Sequence, residues 1–301
     1  MSPLDRVRDS PFVTHWGRVR RKGAERLAGP TKFGLEVAGL RHGSLPGYVM
    51  IGAMKAGSTM FYEWLVTHPL LPPAVEKEVH FFDFHYPQGR VWYRSQLPTV
   101  RRLDALSAEH GHRAMAGEAS PTYLFHPLAP RRARETVPGA KLLVLLRNPV
   151  TRAYSHYNTG IRHDWEALSF EEALEREPIR LDGEVDALLM DEKHHRSFPR
   201  YRWSYLAMGR YAEQLERWFA HFPREQFLIL FSEDLDRDPE GTFRKVWDFL
   251  EVPDHPLPEK QRRTVGRYDP MKPETRSWLE DYFRPHDDRL AELLGTDLPW
   301  R

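Results

Sequence analysis

Tyr48-Val-Met-Ile-Gly-Ala-Met-Lys-Ala-Gly-Ser-Thr-Met-Phe-Tyr-Glu-Trp-Leu65 runs from an apolar stretch through a small-residue turn into a helical pattern, and its reading decides the fold. The turn is a cradle for an anion. Gly52, Ala53, Ala56 and Gly57 let the backbone approach a ligand closely, and the amides of Gly57, Ser58 and Thr59 open a helix whose N-terminal end carries partial positive charge. Lys55 adds a full charge where the backbone supplies only dipoles. Two plainer readings exist: Lys55 as a surface lysine in a turn, and Ser58 and Thr59 as helix N-caps that need no ligand.

The cradle departs from a nucleotide-triphosphate loop, G-x-x-x-x-G-K-[ST], in which the lysine follows the last glycine. In Gly52-Ala-Met-Lys55-Ala-Gly57-Ser58-Thr59 the lysine comes first. The next strong apolar run, Lys141-Leu-Leu-Val-Leu-Leu146, should end in a metal-holding aspartate if Mg-ATP were bound, and it ends in Arg147. Added positive charge without that carboxylate suits a nucleotide whose phosphates the protein itself neutralises.

Outward from the cradle, the pattern predicts a strand over 48–53, a helix over 57–68 stopped by Pro69, Pro72 and Pro73, and a short strand over 114–117. A buried strand follows over 142–146, then a helix from Pro149, whose fixed dihedral suits a first turn. Helices are expected between Thr159 and Met208, one from Phe170 to Arg176, with loops that could cover a cleft. Further elements are a helix over 210–222, a strand over 226–231 and a helix from Pro239 to Leu250. Strands alternating with helices imply an α/β fold, a P-loop-like parallel sheet with helices on both faces, and sites beyond the strands' C-terminal ends.

With 301 residues, 41% of them hydrophobic, the chain can bury one sizeable core, and no linker divides it. The expectation is an N-terminal arm over 1–45, with Arg18, Arg20, Arg21 and Lys22 as a solvated charge run, and a single domain over 46–301. Forty-four basic against 43 acidic residues give a formal charge of +1, which is no nucleic-acid footprint. There is no cysteine, so disulfides, thiolate nucleophiles and Cys-held zinc are excluded. The absence of an apolar run near 18 residues or of a signal-peptide pattern leads to the expectation of a soluble, cytoplasmic protein without a transmembrane segment. No metal-ligand spacing stands out among the histidines, and a surface or loop role is expected for the His194-His195 pair. Nothing in the sequence fixes an oligomeric state.

Glu78 and His80 in Lys77-Glu-Val-His-Phe-Phe-Asp83 share a face if the segment is extended. A carboxylate suits the base for a hydroxyl acceptor and a histidine can orient or relay its proton, while the plainer alternative is a loop with a satisfied structural histidine. Phe81 and Phe82 read as core. Arg147 offers a bidentate fork to a phosphate and Ser155 a hydroxyl from the following helix; the alternative is an arginine paired with a carboxylate at the sheet's end.

Taken in order, Ile51 to Leu65, Lys77 to Asp83, Trp92-Tyr93 with Leu97-Pro98, Glu118-Ala-Ser-Pro-Thr-Tyr123, Leu142 to Ser155 and Tyr211 to Leu250 resemble the sulfotransferases that use 3′-phosphoadenosine 5′-phosphosulfate (PAPS). Within them they are most similar to the branch of heparan sulfate N- and 3-O-sulfotransferase domains. A weaker block runs from Gly266-Arg267 to Trp300, and the resemblance spans roughly residues 46 to 301. It implies transfer of a sulfuryl group from PAPS, leaving PAP (adenosine 3′,5′-bisphosphate), to a hydroxyl or amine of a small-molecule or glycan acceptor. It also implies that Glu78 is the general base with His80 and Asp83 beside it, that Lys55, Ala56, Gly57, Ser58 and Thr59 hold the 5′ side, that Arg147 and Ser155 hold the 3′ phosphate, and that Gly266 and Arg267 close over the nucleotide. No metal is implied.

Heparan-acting relatives carry lysine at the positions of Ala119 and Val265, and this chain does not. Neutral glycans, lipids, acyl-chain hydroxyls and aromatic natural products therefore stand ahead of a heavily sulfated polymer as acceptors. Two other classes remain open on the sequence: a P-loop kinase or ATPase, and a non-catalytic nucleotide-binding module.

Overall fold

The computed structural model describes residues 29–37, 39, 42–192, 197–259 and 268–301. Helix α1 (Gly29–Val37) precedes strand β1 (Tyr48–Gly52) and helix α2 (Ser58–Leu65). After two short helices, α3 (Gly89–Ser95) and α4 (Val100–His110), come β2 (Gly117–Ala119), α5 (Ala129–Thr136), β3 (Lys141–Leu146) and α6 (Pro149–Arg162). A helical insertion of α7 (Phe170–Leu181), α8 (Glu184–Met190) and α9 (Phe198–Trp203) leads to α10 (Tyr211–Phe219), β4 (Phe227–Phe231), α11 (Ser232–Arg237), α12 (Pro239–Leu250) and the long α13 (Pro273–Leu294).

The four strands form one parallel sheet in the order β2-β1-β3-β4. All of β1 and Leu142 to Leu146 of β3 are buried. Because successive strand residues point to opposite faces, burial of every one means both faces are covered, as the apolar runs predict. Phe61 and Trp64 of α2 pack against Phe243 of α12, with ring centroids 4.8 and 5.8 Å apart. No helix among the described residues is long and apolar enough to cross a membrane.

The second strand lies further along than expected, at Gly117–Ala119 rather than 114–117. Its place is set by pairing with β1, Tyr48 opposite Gly117. A Cβ on Gly117 would sit 2.1 Å from the Tyr48 ring, so only glycine fits under that ring. The helix expected over 170–176 continues through Pro178 to Leu181, started by a Ser169–Glu172 capping box. Near the end of the expected N-terminal arm, Glu36 of α1 is buried and accepts from the Gly43 amide at 2.8 Å. Arg18, Arg20, Arg21, Lys22, His194 and His195 lie outside the described residues.

Candidate active site

Beyond β1 the chain enters the cradle with Lys55 at φ 69° and Gly57 at φ 93°, both left-handed. Gly57 has room for a side chain, its nearest neighbour from an added Cβ being 4.0 Å away, so conformation rather than space calls for glycine there. It is also the N-cap of α2, without any side-chain cap. The reading of Ser58 and Thr59 as caps is therefore corrected: Ser58 is buried, and Thr59 Oγ1 instead accepts from Lys77 Nζ at 3.4 Å. The first-turn amides of α2 have no partner within the helix and face the cradle.

The cradle is tied to the ends of β3 and β4. Arg147 Nη1 donates to the Lys55 carbonyl at 3.1 Å, and its Nε donates to Thr151 Oγ1 at 3.1 Å. The Ser232 hydroxyl lies between the carbonyls of Ala56 at 2.5 Å and Leu146 at 2.9 Å. Tyr211 donates to the Arg147 carbonyl at 2.8 Å, and Glu233 accepts from the Asn148 amide at 2.9 Å. Arg147 is thus oriented by neutral oxygens, not by the sheet-end carboxylate of the alternative reading. Its Nη2 and the half-buried Ser155 hydroxyl make no hydrogen bond among the described residues.

Thr151, Ser155, Thr159 and Arg162 follow at helical spacing along α6. Burial pulls Lys55 down to about 8, and the positive charge of Arg162 and Arg147 adds to this while Glu78 opposes it. An anion bound beside Lys55 would offset both effects and favour its charged form. Sequence reasoning missed Arg162, although continuing the period of Arg147, Thr151 and Ser155 by two more steps reaches it.

The second cluster is a chain of alternating charge. Lys77 Nζ lies 3.3 Å from Glu78 Oε1, His80 Nε2 is 3.1 Å from Glu78 Oε2, and His80 Nδ1 is 2.9 Å from Asp83 Oδ2. Thr122 donates to the same Asp83 oxygen at 2.6 Å. Burial would lower His80, but Asp83 and then Glu78 override it and raise its pKa, so the ring carries charge at neutral pH. Burial would likewise raise Glu78, and Lys77 and His80 reverse the sign, leaving it ionised below the usual carboxylate range. Asp83 is held low in the same way, burial being outweighed by His80.

The segment expected to be extended forms no strand, residues 75–77 being bends and 78–80 irregular. His80 is left-handed at φ 54° and caps a π-helical turn, Phe81–His85, so the pair meets through a turn and not along a strand face. Phe81 and Phe82 are fully buried, as read from the sequence. A buried network holds the turn. Ser120 Oγ accepts from the His80 amide at 3.0 Å and donates to Glu118 at 2.7 Å, while Tyr123 accepts from the Phe81 amide at 2.6 Å and donates to Glu118 at 2.8 Å. Burial pushes Glu118 up to about 7 against the bonds from Ser120, Tyr123 and Tyr93.

Lys77 joins the two clusters, since one ammonium reaches both Thr59 on the cradle's helix and the Glu78 carboxylate. The structure therefore brings Lys55, Ala56, Gly57, Ser58, Thr59, Glu78, His80, Asp83 and Arg147 to one region at the C-terminal ends of the strands, with Ser155 two helical turns along α6. Gly266 and Arg267 lie outside the described residues.

The sequence model described as "Sulfotransferase domain" matches residues 46–280. The membrane-associated sulfotransferase kil1 of Dictyostelium discoideum is 28% identical, over 85% of this chain and 67% of that protein. Mouse heparan sulfate glucosamine 3-O-sulfotransferase 3B1 is 29% identical, over 94% of this chain and 72% of that protein. Among solved structures, a sulfotransferase from Alicyclobacillus acidocaldarius superposes with a TM-score of 0.64 at 30% identity, covering 85% of this chain and 98% of the other.

Proposed function

The chain belongs to the sulfotransferase-domain family, and from that premise we propose that it moves a sulfuryl group from PAPS to a hydroxyl of a carbohydrate acceptor, with Glu78 as the base. The observation that carries the proposal is the Lys77 bridge, which sets an ionised carboxylate beside a phosphate cradle. In the reaction the bond from sulfur to the bridging phosphate oxygen breaks, a bond from sulfur to the acceptor oxygen forms, and the acceptor's proton passes to Glu78. Lys55 and the α2 amides take up the charge that develops on the leaving phosphate. Arg147 and Ser155 offer donors for the second phosphate, Thr151 orients Arg147 while donating to the Asn148 carbonyl, and Lys77 and His80 hold the carboxylate in place.

The carbohydrate acceptor is supported by the name of the mouse relative, which acts on heparan sulfate glucosamine. Ala119 is buried in β2 and lends the cleft no charge, which favours a neutral or lightly charged glycan over a heavily sulfated one. The donor is tested by thermal unfolding with PAP in EDTA against ATP with magnesium. A ligand at 100 times its Kd stabilises by about 2.7 kcal/mol, several degrees for a protein of this size. PAP is expected to give that shift in EDTA, and a larger response to ATP that requires magnesium would return the cradle to the triphosphate reading.

Arg147→Ala and Ser155→Ala carry a separate expectation. Losing a charge-assisted bond costs about 1.5–3 kcal/mol, so Arg147→Ala should weaken PAP roughly 10- to 100-fold, and Ser155→Ala less. Adenosine 5′-phosphosulfate, which lacks the 3′ phosphate, should be affected little. Calorimetry with both ligands decides, and equal losses would remove Arg147 from the 3′ position.

A further inference from the structure

Helix α9 gives neighbouring residues to two places. Tyr201 lies edge-on to the His80 ring, centroids 6.3 Å apart, while Arg200 lines a separate cavity of about 340 Å³ in which none of Lys55, Glu78, His80, Asp83 or Arg147 takes part. That volume is at the lower end of the range for small-molecule pockets.

Three guanidinium groups converge on this cavity, from Arg200, Arg210 and Arg217. Little answers them. Arg210 has one loose ion pair, to Glu213 at 3.8 Å, and Arg217 one long bond, from Nη2 to the Phe125 carbonyl at 3.5 Å. The Nε atoms of Arg210 and Arg217 are buried with no hydrogen-bond partner among the described residues. Arg200 stacks on the Phe125 ring at 4.2 Å. The remaining acid of the lining, Glu177, has both its oxygens engaged by the Leu206 and Ala207 amides, at 2.7 and 2.8 Å. Burial, then the charge of Arg217, draws Arg200 down to about 10.

Buried donors without acceptors are costly and mark a place for an acceptor. Phe125, Leu181 and Leu206 give the rest of the wall an apolar character. We propose that this cavity binds a small organic anion, a carboxylate carried on an aryl or alkyl body. The carboxylate meets the arginine forks, in the planar geometry that guanidinium favours, and the apolar body lies along Phe125 and the leucines.

Titration calorimetry with 3-phenylpropanoate and its neutral isostere 3-phenylpropanamide tests the site, using the wild-type chain and the Lys55→Ala, Arg200→Gln and Arg217→Gln variants. Saturable one-site binding of the carboxylate is expected in the wild type and unchanged in Lys55→Ala, with a loss of roughly tenfold or more for the amide and in each arginine variant. Binding to Lys55→Ala separates this cavity from the cradle, so the outcome is independent of whether PAP binds. Absence of saturable carboxylate binding, equal affinity for acid and amide, or loss in Lys55→Ala would each overturn the proposal. The acid–amide comparison is made on the wild type and stands even if an arginine variant fails to fold.

Discussion

Lys55→Ala is expected to lower kcat for sulfuryl transfer by roughly 10²- to 10³-fold, what removal of one preorganised charge-stabilising donor costs in other enzymes. The reason is local. The α2 amides supply partial charge and Arg147 is engaged with the cradle's own backbone, so Lys55 is the group left to meet charge appearing on the leaving oxygen. The variant should fold, because truncation removes a buried cation that burial itself disfavours, and φ 69° costs alanine no more than lysine. A pH profile adds a sharper readout. Burial lowers Lys55 to about 8, so the group is charged below that pH and loses its proton above it. Since kcat/KM reports the free enzyme, it should fall as pH rises through about 8. Lys55→Arg, whose guanidinium stays charged, should lose that limb even if its turnover is lower. Wild-type turnover in folded Lys55→Ala would end the assignment.

Much of this site was legible because the chemistry is local in sequence. Gly52 to Thr59 carries its own meaning: small residues, one lysine, then a helix start. Glu78 and His80 stand two apart and do meet, though by a turn that the sequence Phe81-Phe-Asp-Phe-His85 does not announce, since its apolar residues fit core in any conformation. What holds the site was not legible. Ser232 secures the cradle from 176 positions away, and Tyr211 and Glu233 fix the β3 end from 64 and 85 positions away. A serine at the end of a strand has no sequence mark that distinguishes it from any surface hydroxyl. Glu118 appeared only within a matched block, yet it carries Ser120 and Tyr123, which hold the His80 and Phe81 amides. The displacement of β2 has the same origin, because the glycine that fits under the Tyr48 ring of β1 is matched to a distant residue and not to an apolar pattern within β2.

Glu78→Gln separates the base from the scaffold around it. Glutamine keeps the side chain's size but has one oxygen where the carboxylate used two, Oε1 toward Lys77 and Oε2 toward His80, so one of these donors comes to face the amide NH2; PAP affinity should change little and the unfolding temperature should fall modestly. The proton acceptor is gone. Turnover with a hydroxyl acceptor should fall by roughly 10²- to 10⁴-fold, the contribution expected of general-base catalysis. His80 is no ready substitute. Asp83 on one ring nitrogen and Glu78 on the other keep the imidazole protonated, and the Asp83 half of that clamp survives the substitution, so the ring has no free nitrogen to receive a proton at neutral pH. The acid limb of the wild-type profile should lie below the usual carboxylate range, because Glu78 is held ionised there, and it should disappear in the variant. Steady-state rates of Glu78→Gln and wild type from roughly pH 2.5 to 9, a span that reaches below the ordinary carboxylate range of about 4, provide the measurement. A loss of less than about tenfold, against that expectation for a general base, would place the proton acceptor elsewhere.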